Sequence, residues 1–98
     1  NLKNITILKG VYPEDTGNQI ENKMFRLCHI DVDTYQSAKN IFDWVWPKIN
    51  KGGVIILDDY GGIGCEGITY LVNQLSQKNN NFFIHNLNGL AILLKIKP

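Results

Sequence analysis

With 98 residues, 44% of them hydrophobic and 19% charged, the chain has room for one small domain with a modest core. Its formal net charge of +1 comes from ten Lys and Arg scattered without a basic stripe, which leaves no nucleic-acid surface. The longest apolar stretches, such as residues 90–94, fall far short of the roughly 20 residues that cross a bilayer.

Residues 5–8 form a short β-branched run closed by Lys9-Gly10 and read as a first strand. The chain opens at Asn1 without an initiator methionine and is almost at once in this strand-like run, so it reads as part of something longer. Pro13, Asp15, Thr16 and Gly17 make residues 12–22 a loop. Residues 25–30 read as a second strand. From about Thr34 the period changes: Ala38, Ile41, Phe42, Val45, Trp46 and Ile49 recur at spacings of three and four, the pattern of an amphipathic helix. Asp33 or Thr34 is its candidate N-cap, Pro47 falls near its end, and Gly52-Gly53 stops whatever remains.

Residues 54–57, Val-Ile-Ile-Leu, have the composition of a strand buried on both faces of a parallel sheet. A turn follows at residues 61–64, and Ile68, Leu71, Val72 and Leu75 mark a second helix that stops at Lys78-Asn79-Asn80-Asn81. Residues 82–87 and 90–96 flank Asn88-Gly89, a strong hairpin signal. A strand, helix, strand unit needs a right-handed parallel crossover. The fold class is therefore α/β, a mostly parallel sheet ending in an antiparallel β-hairpin.

Two acidic clusters, Asp31-Val32-Asp33 and Asp58-Asp59, stand where the apolar runs 25–30 and 54–57 end. Parallel α/β sheets present their chemistry at the carboxyl ends of their strands, so neighbouring strands would bring the clusters together. Asp31, Asp58 and Asp59 could give a hard cation such as Mg²⁺ three oxygen ligands, while the absence of a thiolate or histidine cluster makes zinc a poor candidate. Taken singly, Asp33 is as readily a helix cap and Asp58-Asp59 a solvated turn. Adjacent like charges after a buried strand, however, are costly unless a cation or donors compensate them. His29 fits either a strand histidine bonded to backbone or a catalytic group. Tyr35 and Tyr60 are candidate site-lining residues. Trp44 and Trp46 cannot share the buried face of one helix, which makes Trp44 a candidate partner contact. Cys28 and Cys65 have no ligand partner at a fixed offset and point to a reduced, cytoplasmic protein.

The run His29-Ile30-Asp31-Val32-Asp33-Thr34-Tyr35-Gln36-Ser37, then Pro47-Lys48-Ile49 and Gly52-Gly53-Val54-Ile55-Ile56-Leu57-Asp58-Asp59-Tyr60-Gly61, resembles the macrocin O-methyltransferase family. Members are class I enzymes that use S-adenosylmethionine, and the resemblance continues through Cys65-Glu66-Gly67. It implies a Rossmann-like sheet, Mg²⁺ on Asp31, Asp58 and Asp59, a general base at Asp33 or, second, Asp31, and a hydroxyl acceptor on a sugar or other small natural product. Thr34 departs from the leucine usual after Asp-x-Asp, and Ile68-Thr69-Tyr70 replaces a stretch that is often basic.

The glycine-rich turn and ribose-binding acid that hold the donor are not in these residues. The chain reads as a single partial domain, residues 1–98, equivalent to about strands 3 to 7 of the family fold. In the family's sheet order, 3-2-1-4-5-7-6, the strand ending at Ile30 would then show an open edge. The expectation is self-association, pairing of the first strand against that edge, or a requirement for the donor-binding half. Other readings of Asp-x-Asp at a strand end are a metal-dependent glycosyl- or phosphotransferase and a non-catalytic assembly domain.

Overall fold

A computed structural model describes residues 3–98. The regular elements are β1 (Phe25–Ile30), α1 (Tyr35–Val45), β2 (Ile49–Leu57), α2 (Glu66–Ser76), β3 (Asn81–His85) and β4 (Ala91–Lys95), with 3₁₀ turns at Gly17–Gln19 and Trp46–Lys48. The strands form one sheet in the order β1-β2-β4-β3. β1 and β2 are parallel, and β4 runs antiparallel to both β2 and β3. Three strands therefore share a direction, and the hairpin inserts its second strand between β2 and β3. This is the α/β sheet that the crossover and hairpin patterns predict.

Both helices pack on one face. α1 contributes Ala38, Phe42 and Val45, and α2 contributes Ile68, Leu71, Val72 and Leu75, to a core closed by Ile55 and Leu57 of β2 and Ala91 and Leu93 of β4. The two helices approach closely at Gly67, where a β-carbon would lie 2.9 Å from the Tyr35 backbone nitrogen. Lys95 alternates into the same face and is only 6% exposed. Its ammonium donates to the carbonyls of Trp46 and Ile49 at 2.9 Å each, satisfying acceptors that the end of the helical segment leaves open.

The opposite face carries no helix among the described residues. Strand register aligns Leu27, Val54, Leu94 and Phe82 in one row across the sheet, and His29, Ile56, Ile92 and Ile84 in the next. Leu27 is 56% exposed and Phe82 57%. Sheets with parallel strands are ordinarily covered on both faces, so this bare apolar face is an unusual feature of the chain.

Four expectations change. Residues 5–8 are not a strand: the segment runs exposed at Ile5 and Ile7 and leaves the free edge of β1 unpaired among the described residues. Pairing of that first strand against the β1 edge is therefore ruled out. Ile49 opens β2 instead of closing α1, because the Trp46–Lys48 turn around Pro47 ends the helix first. Gly52-Gly53 lie in a bulge of β2, since Phe25 and Leu27 of β1 face Ile49 and Val54. At Gly53 a β-carbon would meet the Arg26 carbonyl at 2.8 Å. The hairpin loop covers residues 86–90, longer than a two-residue turn. Asn86 Oδ1 accepts from the N–H groups of Asn88 and Leu90, and this side-chain anchor replaces the tight turn.

Candidate active site

The parallel β1–β2 ladder ends at Ile30 opposite Leu57 and is extended by the Asp58 N–H, which donates to the Ile30 carbonyl at 3.0 Å. The two acidic clusters thus leave the sheet side by side at the carboxyl ends of neighbouring strands. Thr34 caps α1, its side chain accepting from the Ser37 N–H at 3.3 Å, so Asp33 is not the cap and its exposed carboxylate stays available. Asp59 adopts the left-handed backbone conformation, with φ of 64°, in the turn after β2. Aspartate is one of the few residues that visit that region readily.

Asp59 is the electrostatic centre of the cluster. Its carboxyl is pushed above the usual carboxylate range, first by partial desolvation, then by the charges of Asp58, Asp31 and Asp33, and by a hydrogen bond with Asp31. Asp58 is held on both oxygens: Oδ1 accepts from the Asp59 N–H at 2.9 Å, and Oδ2 lies 3.3 Å from His29 Nε2. Every acid singled out in the sequence therefore lies at this one place. Among the described residues, one ligand atom each of Asp33, Asp59 and Cys65 lies within 4.8 Å of the others, a group that shares only Asp59 with the expected trio of Asp31, Asp58 and Asp59. In the sequence Cys65 has no ligand partner at a fixed offset, and only its place in the turn before α2 could have signalled its position beside the acids. Burial, and then the surrounding acids led by Asp59 and Asp33, raise its thiol pKa. The thiol is protonated at neutral pH and is a poor ligand for a hard cation.

Tyr35 and Tyr60 brace the site. The Tyr35 hydroxyl donates to Gln74 Oε1 at 2.9 Å and the Tyr60 hydroxyl to Asn73 Oδ1 at 2.6 Å, tying the segments after both acidic clusters to α2. Trp44, expected as a partner contact, is covered within the chain. Tyr12 packs edge-on with ring centroids 5.2 Å apart, the Lys48 ammonium sits 4.1 Å above the ring, and Gly17 lies against it. Trp46 stacks on Phe42, which resolves the conflict between two tryptophans on one helix. Beside the site, along the open edge of β1, runs an apolar cavity of about 350 Å³ lined by Tyr12, Ile20, Leu27, Cys28, Ile41 and Val45. Cys28 and Cys65 are not disulfide-bonded. No helix among the described residues is long and apolar enough to cross a membrane.

Similar structures share this fold. The O-methyltransferase NovP superposes with a TM-score of 0.65 at 21% identity over 76% of this chain and 31% of NovP. CalS11, a TDP-rhamnose 3'-O-methyltransferase of calicheamicin biosynthesis, gives 0.72 at 17% identity over 89% of this chain and 39% of its own. A putative caffeoyl-CoA O-methyltransferase from Staphylococcus aureus gives 0.62 at 21% identity over 80% and 46%. The chain thus spans less than half the length of each of these structures. No curated protein matches it in sequence. A family model described as a methyltransferase domain matches residues 2–60, well over half of the chain and inclusive of every acid of the site, so this chain belongs to the methyltransferase-domain family.

Proposed function

We propose that this chain carries the acceptor-activating part of an S-adenosylmethionine-dependent O-methyltransferase that uses Mg²⁺ and acts on a hydroxyl of a sugar or other small natural product. The observation that carries this reading is the convergence of Asp31, Asp33 and Asp58 on Asp59 in a member of the methyltransferase-domain family. The residues fit a hard divalent cation: the donors are carboxylate oxygens, and Asp59, whose pKa is raised first by desolvation, also bears the repulsion of Asp58, Asp31 and Asp33 that a cation would relieve. Asp31, Asp58 and Asp59 would hold the ion. When bound, Mg²⁺ lowers the proton affinity of an acceptor hydroxyl, and S-adenosylmethionine supplies the methyl group.

The chain's own residues do the rest. Asp33, exposed and not used as a cap, would take the proton of the acceptor hydroxyl during methyl transfer. Asp31 is the second candidate base. The Asp59 N–H fixes one oxygen of the Asp58 carboxylate, and Tyr60 fixes the turn that carries Asp59. The glycine-rich turn that would hold the donor is not among these 98 residues, so the reaction needs donor-binding elements beyond them. The open edge of β1 and the bare apolar sheet face are where such elements, or a second copy of the chain, would be received.

Calorimetric titration of the chain with MgCl₂ tests the metal site. Saturable binding lost in D59N is expected; binding that persists unchanged in D31N, D58N and D59N would overturn the assignment. In the complete enzyme, D33N is expected to lower kcat by about 100-fold or more with little change in Mg²⁺ affinity. Membership in a methyltransferase family weighs against the glycosyl- and phosphotransferase reading.

A further inference from the structure

Beside the acidic cluster, on the outer flank of α2, lies a second cavity, an open cleft of about 370 Å³ lined by Gly61, Gly62, Glu66, Thr69, Tyr70 and Asn73. We propose that this cleft is the subsite for a neutral sugar ring of the acceptor, with Tyr70 as its stacking platform and Glu66 and Asn73 as its hydroxyl-reading groups. The inference rests on the O-methyltransferase reading given above and assigns the substrate contacts that it leaves open.

The cleft is pre-organised. The Gly61 N–H donates to Thr69 Oγ1 at 2.8 Å, and the Tyr60 hydroxyl donates to Asn73 Oδ1 at 2.6 Å, so the turn and the helix are pinned together at two points. That second bond uses the oxygen of the Asn73 amide and leaves its NH₂ to donate outward. Glu66 and Tyr70 are both exposed and line the cleft. Tyr70 is 61% exposed, and its ring is steadied by a tilted contact with Tyr35 at 5.6 Å between centroids. An exposed, braced aromatic ring next to one carboxylate acceptor and one amide donor suits a sugar, whose C–H face stacks on the ring while neighbouring hydroxyls meet the polar pair. Gly61 has φ of +80° and nothing within 4 Å of where a β-carbon would stand, which leaves room over the turn.

Charge narrows the ligand class. Glu66 stands at the cleft and Asp59 in the adjoining turn, so a phosphate or carboxylate would be repelled, whereas a neutral polyol would not. Position ties the cleft to the reaction: Gly61 and Gly62 follow Asp59 and Tyr60 directly, and a β-carbon on Gly62 would lie 3.2 Å from the Asp59 carbonyl.

The test is a titration of the ¹⁵N-labelled chain, followed by two-dimensional NMR, with the methyl glycosides of rhamnose and of glucose, in the absence of metal and donor. Shifts are expected at Gly61, Gly62, Glu66, Thr69, Tyr70 and Asn73. Y70A should weaken binding by roughly 3- to 10-fold, the equivalent of one aromatic contact, while Y70F retains it. E66Q provides an independent variant should Y70A fail to fold, and it should weaken binding by about 3-fold. No shifts, shifts confined to the β1 groove, or shifts with catechol but with neither glycoside would overturn the proposal. A separate MgCl₂ titration, read at Asp31, Asp33, Asp58 and Asp59, reports on the metal reading alone, so either can fail without the other.

Discussion

His29 Nε2 lies 3.3 Å from Asp58 Oδ2, a pair that bridges β1 and the end of β2 and occupies the carboxylate oxygen facing away from the Asp59 N–H. Both side chains are partly open to solvent, so the pair itself adds little to stability, about 0 to 1 kcal/mol. Its importance is positional. Any cation that takes Asp58 as a ligand competes with the imidazole for that oxygen.

Removing the imidazole should therefore release Asp58. H29A is expected to tighten Mg²⁺ binding several-fold by calorimetry while leaving the melting temperature nearly unchanged. Weaker binding in H29A would instead make His29 a residue that orients Asp58 for the metal.

Asp59 gives a pH dependence with a definite sign. A carboxyl whose pKa is raised in the folded chain binds its proton more tightly there than in the unfolded chain. Stability is thus lost as pH rises from the ordinary carboxylate range through the raised value, and the loss persists above it. D59N should melt higher than the parent chain near neutral pH, with the difference vanishing in acid. Differential scanning calorimetry at the two pH values checks this, and an equal or lower melting point near neutrality would show that desolvation and the neighbouring acids do not penalise the Asp59 carboxylate.

Lys95 is a buried cation whose partners are carbonyls, not a carboxylate. K95A leaves the Trp46 and Ile49 carbonyls without the donor they share, and should cost about 3 kcal/mol. Urea denaturation measures it, and a loss below about 0.5 kcal/mol would mean that water replaces the ammonium.

Gly67 sets the spacing of the two helices. G67A would place a methyl group 2.9 Å from the Tyr35 nitrogen, inside any real contact distance, and should cost about 1 to 3 kcal/mol as α1 and α2 separate. Because Tyr35 anchors the segment after Asp33, the same variant should weaken Mg²⁺ binding. Unchanged stability by thermal melting would show that the helices can move apart freely.

The bare sheet face should govern association. L27K and F82K place charges in the row of Leu27, Val54, Leu94 and Phe82. The double variant should remain monomeric at concentrations where the parent chain associates, as read by sedimentation velocity. A parent chain that stays monomeric throughout would remove the self-association expectation altogether.

The sequence by itself determined the order and kind of the main elements. Amphipathic spacing marked α1 and α2, continuous Val, Ile and Leu marked β2, and Asn88-Gly89 marked the reversal between β3 and β4, because each is a local signal. It also placed the four acids, since strand ends can be read from where apolar runs stop. What only the tertiary structure decided depended on partners distant in the chain. Residues 5–8 have strand composition but do not pair with the free edge of β1. Ile49 fits the helical period, yet its backbone pairs with Phe25. Trp44 looked free until Tyr12, Gly17 and Lys48 were found against it. The same holds within the site: Asp31, Asp33, Asp58 and Asp59 were legible as acids, but the raised proton affinity of Asp59, the hold of His29 on Asp58 and the presence of Cys65 follow from through-space packing. Electrostatic character belongs to the arrangement of charges, and the sequence lists those charges without their distances.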